Sequence, residues 1–250
     1  MNGATSPGRR PASALGPVAG VDGCRGSWLV VRRGPAPPTG ECGGGDGRTA
    51  TAELVDDLEP LVQALRRGEL AALAVNMPIG LLDHHPRACE VEARRLLGPR
   101  RSSVFPSPIR ALLDVADYDE ARVVSRSAVG KAPSRQTFNL VPAIRHLHRL
   151  VRAEDQDRLV EAHPELAFAR LAGEPLPHPK RTVEGRALRR DLLLQHEPNL
   201  QSLLDAGDLP LIDLLDATVL TVTADRVTTA DERRIGPQPT PDGRRSEIVW

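Results

Sequence analysis

Residues 17–33, Pro-Val-Ala-Gly-Val-Asp-Gly-Cys-Arg-Gly-Ser-Trp-Leu-Val-Val-Arg-Arg, set two apolar runs on either side of the turn Gly23-Cys24-Arg25-Gly26. Glycines between apolar runs signal a hairpin, which predicts strands over 17–24 and 27–33 with Asp22 at the turn. Residues 34–47 (GPAPPTGECGGGDG) read as a Pro/Gly loop, after which 48–55 returns as a third strand and completes an antiparallel edge. Leu58, Leu61, Val62 and Leu65 have helical spacing within 57–67. The near-continuous apolar run 70–75 then has the composition of a strand buried on both faces of a parallel sheet, ending at Asn76. A polar residue at the carboxyl end of such a strand projects into the crevice of an open sheet, so several of these ends can meet at one point.

Farther along, Pro and Gly punctuation bounds a helix over 86–97 and an irregular loop over 100–110. Further helices are expected over 118–129 and 137–153, the second with Pro142 near its first turn and with Thr137 suited to cap it. A short strand follows at 159–162, and Pro164 begins another helix beyond it. Helices at 184–194 and 209–227 complete the series, and 246–250 is apolar enough to close the sheet as its last strand. The expected architecture is α/β: residues 1–16 as a flexible tail, and 17–250 as a single domain with a mixed sheet, flanking helices and a helical insertion at about 84–153.

Lys plus Arg and Asp plus Glu number 33 each, so no global field advertises a polyanionic partner. Trp28, Phe105, Tyr118, Phe138, Phe168 and Trp250 are the whole aromatic complement, too few for a base-stacking platform. Cys24, Cys42 and Cys89 are odd in number and widely spaced, which fits a reducing cytoplasm. No apolar run reaches the roughly 18 residues that would span a membrane. His84, His85 and Cys89 have loosely ligand-like spacing, but no second cluster completes a zinc site. P-loop, serine-hydrolase and zincin motifs are absent.

Four separated acidic or amide positions, Asp22, Asn76, Glu161 and the pair Asp213/Asp216, each adjoin an apolar run. Carboxylates that converge repel one another unless protonated or neutralised by a cation, and Mg²⁺ or Mn²⁺ is the natural counter-ion for oxygen ligands. Each position also has an ordinary use. Asp22 suits the N–H groups of its own turn, and Asp213 suits the first turn of a helix. Glu161 and Glu165 flank His163-Pro164, so that one is free to bind metal while the other caps the following helix; Glu161, nearer its strand, is the expected ligand.

The strings GVDGCRGSW (20–28), VNMPIGLLD (75–83), EVEARRLLGPRRSSVFPSP (90–108), SRQTFNLVPAIR (134–145), EAHPELAF (161–168), KRTVEGR (180–186) and DLLDA (213–217) together resemble a family of predicted nucleases with a ribonuclease H-like fold, catalogued as domain of unknown function number 429. The resemblance implies a metal-dependent nuclease acting on DNA or RNA, with Asp22, Glu161, Asp213 and Asp216 as its catalytic acids. By the same resemblance Asp22, Asn76, Glu161 and Asp216 would hold Mg²⁺ or Mn²⁺. Arg100, Arg101, Ser102, Gln136, Asn139, Lys180 and Arg181 are the expected substrate contacts, the Arg and Lys by their affinity for phosphate. Two positions depart from the family pattern: Asn76 stands where Asp is usual, and Ala143 where Lys is frequent. An amide keeps an oxygen ligand but loses the charge that attracts a metal, so a catalytically degenerate nucleic-acid- or nucleotide-binding protein is the alternative expectation.

Overall fold

The computed structural model describes residues 16–35, 48–84 and 86–250. The expected tail, apart from Gly16, and residues 36–47 of the Pro/Gly loop lie outside these residues. Strand β1 (Val18–Cys24) pairs antiparallel with β2 (Ser27–Pro35), which pairs antiparallel with β3 (Arg48–Val55). The β1–β2 turn comes down to Arg25 and Gly26, both at positive φ (51° and 93°), the two-residue geometry whose twist matches that of paired strands.

After helix α1 (Glu59–Arg66), β4 (Ala72–Val75) inserts parallel to β1 on its other side, with Val21 opposite Val75. Between β4 and the next strand come α2 (Ala88–Leu97), 3₁₀ turns at Gly98–Ser103 and Arg110–Asp114, α3 (Tyr118–Val129) and α4 (Arg135–Leu150). Strand β5 (Leu159–Glu161) adds parallel to β4, which gives the order β3-β2-β1-β4-β5. Helices α5 (Pro164–Ala172), α6 (Val183–His196), α7 (Gln201–Asp205) and α8 (Leu211–Thr229) follow. Strands β6 (Arg234–Pro239) and β7 (Arg245–Val249) end the chain as a separate two-stranded sheet.

Side-chain alternation along the strands splits the core in two. Val18, Leu29, Val31, Ala72, Ala74 and Val160 face a cluster containing Phe168 of α5, Leu193 of α6 and Leu214–Leu220 of α8. Ala19, Val21, Val30, Leu73, Val75 and Leu159 face Leu61, Val62 and Leu65 of α1 and Ile144 and Leu147 of α4. Helix α8 is buried continuously from Leu214 to Ala224, and its backbone lies directly on β1. A Cβ on Gly20 would sit 2.1 Å from the Ala217 carbonyl oxygen and 2.7 Å from the Thr221 nitrogen, so only glycine admits this approach. Asp225 fastens the far half of the helix by accepting from Arg33 and, at 2.9 and 3.0 Å, from Arg48.

Three features of the fold differ from what the sequence implies. Pro142 lies in the middle of α4 rather than its first turn; it is exposed, so water can satisfy the carbonyl that loses its helical partner. Ser134 caps α4 by accepting from the Thr137 N–H at 3.0 Å, while the Thr137 hydroxyl reaches the Pro106 carbonyl. The segment at 246–250 does not extend the main sheet, because it pairs with β6, a strand the Gly-Pro-Gln-Pro composition conceals; a lone parallel bridge from Val249 to Ala162 joins the two sheets. Gly20→Ala is expected to cost about 3 kcal/mol, or roughly 6–12 °C in Tm, through backbone overpacking. Urea and thermal unfolding followed by circular dichroism check this, and an unshifted midpoint contradicts the contact.

Candidate active site at the carboxyl edge of the parallel strands

Gly20 and Asp22 share the α8 face of β1, so the close α8–β1 contact carries Asp216, next to Ala217, to the same place as Asp22. Asp22 is 6% exposed and Asp216 1%. Asp22 Oδ1 accepts from its own turn at Gly23 N (3.0 Å) and from Asn76 Nδ2 at the end of β4 (2.7 Å). The turn-capping use of Asp22 and its place beside Asn76 are thus both realised, by one oxygen. Asp216 accepts from the Lys180 ammonium, which stands just before α6.

The electrostatics follow from burial. Desolvation and the neighbouring Asp216 charge push the Asp22 carboxyl up to about 7, against the stabilising Asn76 hydrogen bond and the Lys180 charge, with Asp213 adding to the rise. Burial also raises Asp216, although Lys180 opposes it. Burial works to lower Lys180, but the charge and hydrogen bond of Asp216 prevail and raise it. Burial and the nearby Asp213 push the Cys24 thiol up to about 11, which makes it a poor nucleophile.

Glu161 takes no part in this cluster. It pairs in register with Val75, which pairs with Val21, so all three project toward the α1/α4 face, opposite Asp22. There its carboxylate is held bidentately by Arg87 (2.6 and 2.8 Å) and accepts from Ile79 N at 2.9 Å. Arg87 in turn donates to Glu90 and to the Gly80 carbonyl, and Glu90 accepts from Ser107 N. Glu161 therefore ties β5 to α2 and to the loop after β4.

Glu165, in the first turn of α5, is the acid that the β5–α5 segment brings to the α8 face. Its Oε1 accepts from the fully buried Arg189 at 2.7 Å, its Oε2 is buried without a partner, and its charge bears on both Asp216 and Lys180. His163 precedes that helix. Burial lowers its pKa to about 4, Nε2 lies 3.3 Å from the Ser103 carbonyl and Nδ1 is buried without a partner. Because a carbonyl only accepts, Nε2 carries the proton and Nδ1 is an open acceptor. The His-Pro step, read only as a helix start, was the available signal for both residues.

Among the other expected contacts, Asp213 lies in the first turn of α8, within electrostatic reach of Asp22. Arg100, Arg101 and Ser102 belong to the 3₁₀ turn that His163 holds through Ser103. Neither arginine forms an ion pair with a described residue. Gln136 and Asn139 are exposed on the first turns of α4, and Arg181 is exposed beside Lys180. Ala143 packs against the α1/α4 core. Among the described residues, no three His, Cys, Asp or Glu side chains are grouped to hold a metal ion, and no helix is long and apolar enough to cross a membrane.

Fold and site together define an α/β protein with a mixed five-stranded sheet and a pair of buried acids at the carboxyl edge of its parallel strands. The model of the family described as Protein of unknown function (DUF429) matches residues 20–242, and the chain belongs to that family. No curated protein and no solved structure matches it.

Two variants separate the two carboxylate systems. Glu161→Gln replaces the bidentate carboxylate partner of buried Arg87 by a single amide oxygen and is expected to cost about 3 kcal/mol in urea unfolding. Asp22 behaves in the opposite sense. Its folded pKa, near 7, exceeds the ordinary 3.8, so the native state holds the extra proton and the stability it contributes is lost as pH rises from about 4 to about 7. Asp22→Asn is expected to remove that decline, on the order of a few kcal/mol, in melts run across this pH range; a decline that persists unchanged in the variant contradicts the assignment.

Proposed function

We propose that the carboxyl edge at Asp22 and Asp216 forms a crevice that binds a nucleic-acid phosphodiester and hydrolyses it with a divalent ion, Mg²⁺ or Mn²⁺. The observation that carries the reading is the pair of buried acids, Asp22 and Asp216, supplied by distant segments and left with one ammonium between them. A sheet of three antiparallel strands continued by two parallel ones, flanked by helices, supports the ribonuclease H-like assignment that the sequence motifs imply. Ligands of open α/β sheets bind at the carboxyl ends of strands, where these acids lie.

The donor set fits a hard cation. Burial and the Asp216 charge raise Asp22, Glu165 Oε2 is a buried acceptor without a hydrogen-bond partner, and the charges of Asp216, Asp22 and Glu165 all bear on Lys180. Asp22 and Asp216 would hold the ion, with the Asn76 amide oxygen as a neutral third ligand. When bound, the ion supplies neutralisation of developing phosphate charge and a lowered pKa for an attacking water. The chain's own residues do the remainder. Asn76 orients Asp22, Lys180 offers its ammonium to a phosphate oxygen at the rim, and Arg100 and Arg101 extend the cationic surface along the backbone of the substrate. Glu161, locked by Arg87 on the opposite face of the sheet, braces the scaffold rather than holding the ion.

The neutral Asn76 and the engagement of Asp216 by Lys180 favour a second reading, a protein that binds nucleic acid without turning it over. Cleavage assays on single-stranded, duplex, hybrid and junction substrates with Mg²⁺ or Mn²⁺ test both. Metal-dependent cleavage that falls about 100-fold or more in Asp22→Asn and Asp216→Asn is the expected result. Binding of substrate without cleavage would replace it with the second reading, and equal rates in the wild type and both variants would contradict it.

A further inference from the structure

We propose that Lys180 is an exchangeable internal counter-ion: its ammonium leaves Asp216 for a phosphate of the substrate as the divalent ion arrives, so that metal and phosphodiester bind cooperatively. The inference rests on the reading of the crevice as a phosphodiester site. Asp216 is buried and forms its ion pair with Lys180, whose side chain is 37% exposed and therefore has a path from the carboxylate to the rim. A divalent ion and an ammonium on the same carboxylate repel, while a buried carboxylate needs one of the two, so the arrival of the ion releases the ammonium.

The backbone beneath Lys180 is fixed, so the movement belongs to the side chain. Pro179 O accepts from Thr182 N (3.0 Å), Thr182 Oγ1 accepts from Gly185 N (3.0 Å), and a Cβ on Gly185 would lie 1.9 Å from Pro179 O. A lysine on such a root presents a strongly hydrated point charge at the end of four flexible carbons. Arg189, the other cation at this face, is built the opposite way. It is fully buried and bound to Glu165, Gly185 O and His178 O, and so cannot exchange. In the metal-free protein Lys180 neutralises Asp216; with both ligands present the divalent ion does so, and the ammonium neutralises the phosphate. Each ligand thereby removes the obstacle to the other, and linkage requires the coupling to be reciprocal.

The test is a titration of the full-length chain with Mn²⁺, reading free ion by electron paramagnetic resonance, with and without the dinucleotide dTpdT and with the ion's binding to dTpdT alone subtracted. In the wild type, dTpdT is expected to tighten Mn²⁺ binding about tenfold. Lys180→Gln is expected to bind Mn²⁺ more tightly than the wild type without dTpdT and to show almost no further tightening with it, while Lys180→Arg keeps the coupling. A Lys180→Gln variant that binds Mn²⁺ no better than the wild type, or that retains the full dTpdT effect, overturns the proposal and leaves the metal site standing. If wild-type binding does not exceed that of Asp22→Asn/Asp216→Asn, the metal reading itself fails. Should Lys180→Gln not fold, the wild-type titration decides alone, and absence of tightening overturns the coupling.

Discussion

The backbone of α8 lies on Gly20, and everything at the candidate site follows from that contact. A side chain at position 20 would hold the helix off the sheet and separate two carboxylates from segments almost two hundred residues apart. Because the contact is tight, Asp22 and Asp216 share a desolvated space in which two full negative charges are costly. The protein answers in three ways. Asn76 and a turn amide donate to one oxygen of Asp22, Lys180 neutralises Asp216, and the residual deficit appears as an Asp22 carboxyl that holds its proton to near pH 7.

A second polar network lies on the other side of the sheet. Arg87, Glu90 and Glu161 form a buried, hydrogen-bonded group that joins β5, α2, the loop after β4 and the loop at Ser107. One cation serves two carboxylates here: Arg87 donates to both, and Glu90 Oε2 is buried without a hydrogen-bond partner. On the α8 face Asp22, Asp216 and Glu165 share Lys180 and Arg189, and Lys180, unlike Arg87, is part-exposed. A fully buried cation builds the scaffold, and buried acids served by a part-exposed one mark the place for a ligand.

Much of this was legible in the sequence. The Gly-Cys-Arg-Gly turn sets a two-residue hairpin that leaves Asp22 on the inward face, and the run before Asn76 has the composition of a strand covered on both sides. The length and apolarity of 209–227 announced α8. Glu161 was harder to place, because period-two alternation decides its face and a three-residue strand gives too little pattern to read a phase. Its partner Arg87 lies 74 positions away, and nothing local announces so distant an ion pair. Glu165 was legible as a helix-start acid, but its burial against Arg189 depends on how α5 and α6 pack. Strand β6 escaped because proline and glycine at 236–239 oppose a strand assignment that only the pairing with β7 enforces.

The most direct test of the shared acidic crevice is a crystal soaked in Mn²⁺ and measured at the manganese absorption edge. The account predicts one anomalous peak at oxygen-ligand distance, about 2 Å, from both Asp22 and Asp216, with Lys180 turned away from Asp216. A peak at Glu161, or crystals in which Mn²⁺ reaches neither Asp22 nor Asp216, would contradict it.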